Sequence, residues 1–171
     1  VTIRVREMTD ADCAAVAGVR VEGWRSAYRD LLPAAYLAAL SVAEDTEVRR
    51  EHLARAGEEV VHLVAERDGE VVGWAAFGPD RSPGAGPGDG ELYALYARPD
   101  VVGTGVGRAL TDEVAARAAA RGCARLSLWV LEGNALGRRF YAKAGFVPDG
   151  ACEPWEVGGT TLAELRYVRT L

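Results

Sequence analysis

Cysteine, histidine and long apolar runs are what this chain is short of. Its 171 residues hold three cysteines and two histidines. Cys13, Cys123 and Cys152 are far apart, form no CxxC pair, and do not adjoin His52 or His62. That spacing excludes a disulfide-stapled miniprotein and offers no zinc-ligand pattern, so no metal is expected. Few, unpaired thiols point to a reducing, cytoplasmic setting. No run of 18 apolar residues occurs, so no membrane-spanning helix is expected. The start, Val1 to Glu7, carries Arg4, Arg6 and Glu7 where a signal peptide has its apolar centre. Positive charge is scarce too: 25 acidic residues face 20 basic ones, for a net charge of −5. A surface that wraps nucleic acid normally brings a basic excess, so nucleic acid is not an expected partner. An anionic ligand stays open, because backbone amides bind phosphate without net charge.

What is present is a globular composition, 49% hydrophobic and 26% charged. A chain of this length forms one domain, 1–171, and buries about 70% of its unfolded surface. Ile3 and Val5 alternate with Arg4 and Arg6, a strand pattern. Thr9 and Asp12 have capping-box spacing, so a helix starts near Asp10, carries Val16, Val19 and Trp24, and fades near Tyr28. Pro33 suits the first turn of a short helix through Leu40. Ser41 and Glu44 cap another, which Gly57 ends. Val60–Glu66 and Val71–Phe77 are strand-forming runs joined across Asp68-Gly69, a hairpin signal. Pro79 to Gly90 is crowded with proline and glycine and reads as a mobile loop, a candidate lid. Strands are expected at Glu91–Ala97 and Ala124–Leu131, and Phe146 and the segments Ala151–Val157 and Thr161–Thr170 complete the chain as strands. Between them lie a helix to about Arg121, with Val106, Leu110, Val114 and Ala118 on one face, and a helix from Asn134 to Gly145. The sum is an α+β (α/β layered) domain: a mixed, mostly antiparallel sheet of about seven strands with about four helices.

The most informative stretch is strand, Gly103-x-Gly105-x-Gly107, helix. Glycines let the backbone bend sharply and bring N–H groups to a ligand, and a helix N-terminus adds partial positive charge. Together they suit a phosphate or pyrophosphate. Gly107 is followed by Arg108-Ala109, not Lys-Ser/Thr, which disfavours a P-loop. Arg at 108 and the late position in the chain disfavour a Rossmann fingerprint. Downstream, Asn134 and Tyr141 are seven apart on a helix, so they share a face about 10 Å apart. Taken alone, Asn134 fits an N-cap and Tyr141 a half-buried aromatic.

Taken together, the glycine turn and Asn134…Phe140-Tyr141…Gly145-Phe146 resemble the GCN5-related N-acetyltransferase (GNAT) superfamily, over about Ile3 to Leu171 and most specifically between Glu91 and Phe146. The glycine segment resembles that family's acetyl-CoA pyrophosphate loop. Val102 departs from the usual Gln or Arg, which implies a weakened or rearranged grip there. The resemblance implies acetyl-CoA as acyl donor. Leu95, Tyr96 and Ala97 would pair with the pantetheine arm, Val102, Gly103, Thr104, Gly105, Val106, Gly107 and Arg108 would cradle the pyrophosphate, Asn134 would contact the arm, and Tyr141 would sit near the sulfur. Arg98, Arg138 and Arg139 are candidates for the outer phosphate. Members often form homodimers.

The expected reaction is direct acetyl transfer to an amine through a tetrahedral intermediate, with no covalent enzyme intermediate. A free alkylamine has a pKa of about 10, so a carboxylate must take a proton, and Glu91 is the candidate base. A backbone N–H near Leu95 would serve the oxyanion and the Tyr141 phenol the departing thiolate. Trp24, Tyr28 and Trp129 are candidates for the acceptor pocket of an amine-bearing small molecule or peptide. Two other readings stay open: a catalytically silent acyl-CoA-binding or sensor module, and a Rossmann-type oxidoreductase.

Overall fold

The computed structural model describes residues 2–171; Val1, first in the charged start, lies outside them. In chain order the elements are β1 (Ile3–Glu7), a 3-10 turn (Asp10–Asp12), α1 (Cys13–Ala27), α2 (Ala34–Ala39), α3 (Val42–Arg55), β2 (Val61–Arg67), β3 (Glu70–Pro79) and β4 (Asp89–Ala97). A second 3-10 turn (Pro99–Val101) leads to α4 (Val106–Ala120), β5 (Arg125–Leu131), α5 (Ala135–Lys143), β6 (Val147–Val157) and β7 (Thr160–Thr170). The seven strands form one sheet in the order β1-β2-β3-β4-β5-β7-β6. Every neighbouring pair is antiparallel except β4 and β5, which run parallel.

Local chemistry accounts for the elements. Thr9 N–H donates to Asp12 Oδ2 at 2.8 Å, and Arg6 forks onto the same carboxylate at 2.8 and 2.9 Å. Those Arg6 bonds, helped by Thr9 against the cost of burial, hold the Asp12 carboxyl down at about 2. Asp68 and Gly69 both take positive φ (52° and 81°), as the tight turn between β2 and β3 requires. Among the described residues the helices number five, one for each helical segment read from the sequence and one more than the rounded sum of about four. Leu40 is extended (φ −59°, ψ 130°) and Ser41 then caps α3 by accepting from Glu44 N–H at 3.2 Å, so α2 stands apart.

Most strand ends fall within one residue of expectation, and two regions differ by more. The proline- and glycine-rich segment is shorter, Asp80–Gly88, because Asp80 N–H donates to Asp89 O (3.0 Å) and extends the β3–β4 hairpin. β6 starts at Val147, not Ala151, and runs through an irregularity between Pro148 and Cys152. Asp149 steadies it by accepting from Ala151 N–H (2.9 Å) and Arg166 Nε (2.6 Å).

The sheet divides two cores. On one face Val106, Leu110, Val114 and Ala118 of α4 pack on Leu63, Val72, Ala75, Phe77, Leu126 and Leu128. Each fully buried Val or Leu there contributes about 1.5–3 kcal/mol. On the other, Cys13 and Val16 of α1 meet Val64, Trp74 and Ala76. α1, α2 and the connection between them also gather Trp24, Leu37 and Leu32 against Trp155, Val157 and Leu162 of the β6–β7 hairpin. No helix among the described residues is long and apolar enough to cross a membrane.

Candidate functional site

The site begins where the parallel pairing stops. β4 and β5 are in register only at Asp89–Arg125, Gly90–Leu126 and Glu91–Ser127. Beyond Glu91 and Ser127 the two strands part. A bulge in β4 accompanies the split: Ala76 pairs with Ala94 but Phe77 with Leu92, leaving Tyr93 as an extra residue. Bulges bend and twist a strand, which re-aims the backbone beyond them. The facing edges of Leu92–Ala97 and Leu128–Leu131 therefore have no ladder partner among the described residues, and an extended ligand can hydrogen-bond to an open edge of this kind.

A cavity of about 1120 Å³ occupies the wedge. At one end stands the glycine bend. Gly103 (φ +82°) and Gly105 (φ +98°) are left-handed, a conformation that a side chain resists. Gly107 has a different reason: a Cβ there would lie 3.1 Å from the Phe140 ring of α5. Among the described residues, no backbone carbonyl accepts from the N–H groups of Gly103, Gly105, Val106, Gly107 or Arg108. Free amides at a helix start make an anion-binding surface. Asn134 caps α5 by accepting from Gly137 N–H at 3.0 Å. Gly137 must lack a side chain, since its Cβ would come within 2.6 Å of Asn134 Nδ2.

The structure brings most of the sequence candidates to this cavity. Leu95, Tyr96, Ala97, Val102, Gly103, Gly105, Gly107, Arg108, Asn134 and Tyr141 line it, as do Trp24, Tyr28, Glu91 and Trp129. Thr104 and Val106 do not line it. Thr104 donates its hydroxyl to Val101 O (2.6 Å), and the Val106 side chain is buried in the core under α4. Two of the three outer-phosphate candidates are spent elsewhere. Arg98 pairs with Glu70 and Asp100, and Arg138 donates to Tyr167 Oη and Glu132 O, while Arg139 lines the cavity. The three cysteines are free thiols outside the lining.

The segment expected to be a mobile lid walls the cavity with Arg81, Ser82 and Pro83, and Ser127 Oγ donates to Asp80 at 3.1 Å. Glu91 is 3% exposed and heavily bonded to that wall. Arg81 gives its Oε1 a backbone bond (3.0 Å) and its Oε2 a bond from Nη2 (2.7 Å). Tyr141 packs edge-on against Phe140 (5.3 Å) and Phe146 (5.9 Å). Burial, and then neighbouring Tyr96, push its phenol well above the usual value, so it stays protonated and able to donate. Trp24 donates from Nε1 to Tyr96 Oη at 3.0 Å and stands edge-on to Tyr28 and Trp155 (5.2 and 5.6 Å).

Sequence reasoning missed Trp155, Glu153 and Glu164, all in the lining. No local signal marks them, because cross-strand register places them. Glu153 pairs directly with Glu164, and Glu164 with Leu131. Burial, then the Glu153 carboxyl that faces it, push the Glu164 carboxyl from 4.5 up to about 7. A carboxyl raised on folding adds stability below its unfolded value, and that stability is lost as pH climbs through the folded one. Glu164→Gln, whose amide can donate to Glu153, is therefore expected to gain stability relative to the parent between pH 5 and pH 8. The gain is about 1 kcal/mol once solvent screening is allowed for. Urea denaturation of both proteins at the two pH values checks it, and an equal difference at both would refute it.

Comparison with known proteins places this geometry. The defining pattern of the Acetyltransferase (GNAT) family matches residues 24–146. Over 164 residues the chain is 32% identical to Uncharacterized N-acetyltransferase YuaI of Bacillus subtilis (strain 168), spanning 95% of this chain and 90% of that protein. A GCN5-related N-acetyltransferase from Rhodopseudomonas palustris has the same fold, with a TM-score of 0.77, 26% identity, and coverage of 100% of this chain and 97% of that one. The PaiA N-acetyltransferase of Thermoplasma acidophilum, solved in complex with coenzyme A, also shares the fold over the whole of both chains, with a TM-score of 0.77 at 18% identity.

Proposed function

The chain belongs to the GNAT family of acetyltransferases and is an acetyl-CoA-dependent N-acetyltransferase, and from that premise we propose how its wedge carries out the transfer. The observation that carries the reading is the end of β4–β5 pairing at Glu91 and Ser127, which leaves an open strand edge running toward the free amides of the glycine bend. The main chain of Leu95, Tyr96 and Ala97 pairs with the pantetheine arm as an added strand would. The amides of Gly103, Gly105, Val106, Gly107 and Arg108 hold the pyrophosphate, Val106 with its main chain only, while the Thr104 N–H stays bonded to Val101 O at 3.2 Å and braces the bend. The Val102 side chain, 52% exposed, has no donor to offer there. Asn134, fixed as a cap, and Tyr141 flank the arm from α5.

Acetyl-CoA supplies an activated thioester carbonyl, and the chain must do three things for it. Glu91 takes the proton of the attacking amine, directly or through water, with Arg81 holding the carboxylate in place. A main-chain N–H near Leu95, beyond the bulge, donates to the oxyanion of the tetrahedral intermediate. As the new C–N bond replaces the C–S bond, the thiolate takes a proton from the Tyr141 hydroxyl, which solvent then restores. Trp24, Tyr28, Trp129 and Trp155 wall the acceptor side. An amine on a small molecule or a peptide is the acceptor.

Thiol release from acetyl-CoA across an amine panel, beside thermal unfolding with coenzyme A, tests the reading. Stabilisation by coenzyme A with amine-dependent thiol release is expected. Stabilisation with no release by any amine would make the chain a silent acyl-CoA-binding module. The bend has its own test. Gly107→Val must open the α4–α5 contact at Phe140, costing about 1–3 kcal/mol by overpacking and displacing the amides. Titration calorimetry is expected to find coenzyme A bound about tenfold more weakly, since misaligning one charge-assisted bond costs about 1.5 kcal/mol. Unchanged affinity would remove the bend from the binding site.

A further inference from the structure

We infer that the acceptor is a small linear amine carrying a second positive charge, which the paired carboxylates Glu153 and Glu164 of the β6–β7 hairpin hold where they line the cavity. The inference rests on the acyl-transfer reading above and names the substrate class of that same site.

Register fixes the geometry. Glu153 and Glu164 are direct partners across β6 and β7, so both side chains leave the same face of the sheet. Like charges placed opposite each other in a sheet are destabilising. Glu164 is level with Leu131, and Glu91 with Ser127. Leu131 and Ser127 are four residues apart on β5 and share a face, so the carboxylate pair and Glu91 look into one cavity from backbone levels about 13 Å apart. A flexible amine with one nitrogen at Glu91 and a cation at the pair spans that interval with the help of two long glutamate side chains.

Charge is distributed to match. The cations lining the cavity near the bend, Arg108, Arg139 and Lys143, sit on α4 and α5. The acceptor end has three carboxylates and one lining cation, Arg81, which is already bound to Glu91. Arg166, the near neighbour, is committed to Asp149. Burial, then the facing Glu153, push the Glu164 carboxyl up to about 7, so below that pH it holds a proton. An ammonium group can replace that proton and satisfy both carboxylates at once. Trp155, which also lines the cavity, adds an aromatic surface of the kind that attracts cations.

The test compares amines of equal length: pentylamine against 1,5-diaminopentane, and hexylamine against 1,6-diaminohexane, each by thiol release from acetyl-CoA. Two equivalent amino groups alone give the diamines a factor of about two. The expected advantage in kcat/KM is about tenfold or more, the worth of one bond to a charged group. Glu153→Gln and Glu164→Gln are each expected to bring the ratio down toward that statistical factor, mainly by raising KM for the diamine. Thermal unfolding verifies that both variants fold. A parent ratio of two or less overturns the inference, as does a ratio that neither variant changes. A lysine-containing peptide that outruns every diamine overturns the small-molecule assignment. These outcomes leave acyl transfer intact. Absence of thiol release with every amine, while coenzyme A still stabilises the protein, defeats the acyl-transfer reading and the inference with it.

Discussion

Glu91→Gln is expected to lower kcat by about 10²- to 10³-fold, the range of a positioned general base, while coenzyme A binds with nearly its original affinity. Glu91 is 3% exposed on β4, lines the cavity and is paired with Arg81. Glutamine keeps an oxygen to accept the Arg81 backbone N–H now bonded to Oε1. It cannot take a proton. Arg81 is 65% exposed, so water can satisfy its guanidinium when the ion pair is lost. The variant should therefore fold, and the loss should fall on turnover. Steady-state kinetics beside calorimetric titration of coenzyme A separates the two quantities. A kcat within about threefold of the parent would show that Glu91 is not the base, and the carboxylate of Glu164 would be the next group to test.

Tyr141→Phe removes one oxygen from a ring already held edge-on between Phe140 and Phe146. Packing survives, because phenylalanine fills the same space. The departing thiolate loses its proton donor, and turnover is expected to fall by about 10²-fold, the usual scale for losing an acid in a transition state. Burial keeps the phenol protonated far above neutral pH, so the parent's rate should show no alkaline decline from this group below pH 10. Coenzyme A affinity should change much less than turnover. The comparison needs kcat and the coenzyme Kd for both proteins. An unchanged turnover number would remove Tyr141 from the acid role.

Local sequence carried much of the architecture. Period-two and helical patterning, the Asp68-Gly69 turn and the Ser41 cap each encode their element within a few residues. The glycine bend was legible for the same reason, since positive φ at Gly103 and Gly105 is a demand made on one residue at a time. Gly107 answers a tertiary demand instead, the closeness of Phe140. Arg98 and Arg138 illustrate the opposite error. Their charge was visible in the sequence, but not the partners that use it: Glu70 and Asp100 for one, Tyr167 and Glu132 for the other.

The order of elements, the bend before α4, the Asn134–Tyr141 helix face and the family they resemble are all written locally, because each depends on spacing along one stretch of chain. Folding in three dimensions is what parts β4 from β5 after Glu91, brings Arg81 onto that glutamate, and turns Glu153, Glu164 and Trp155 into the same cavity. Those facts depend on strand register and on a one-residue bulge. A shift of one residue in register sends every side chain of a strand to the other face, and nothing local in the sequence records which register won.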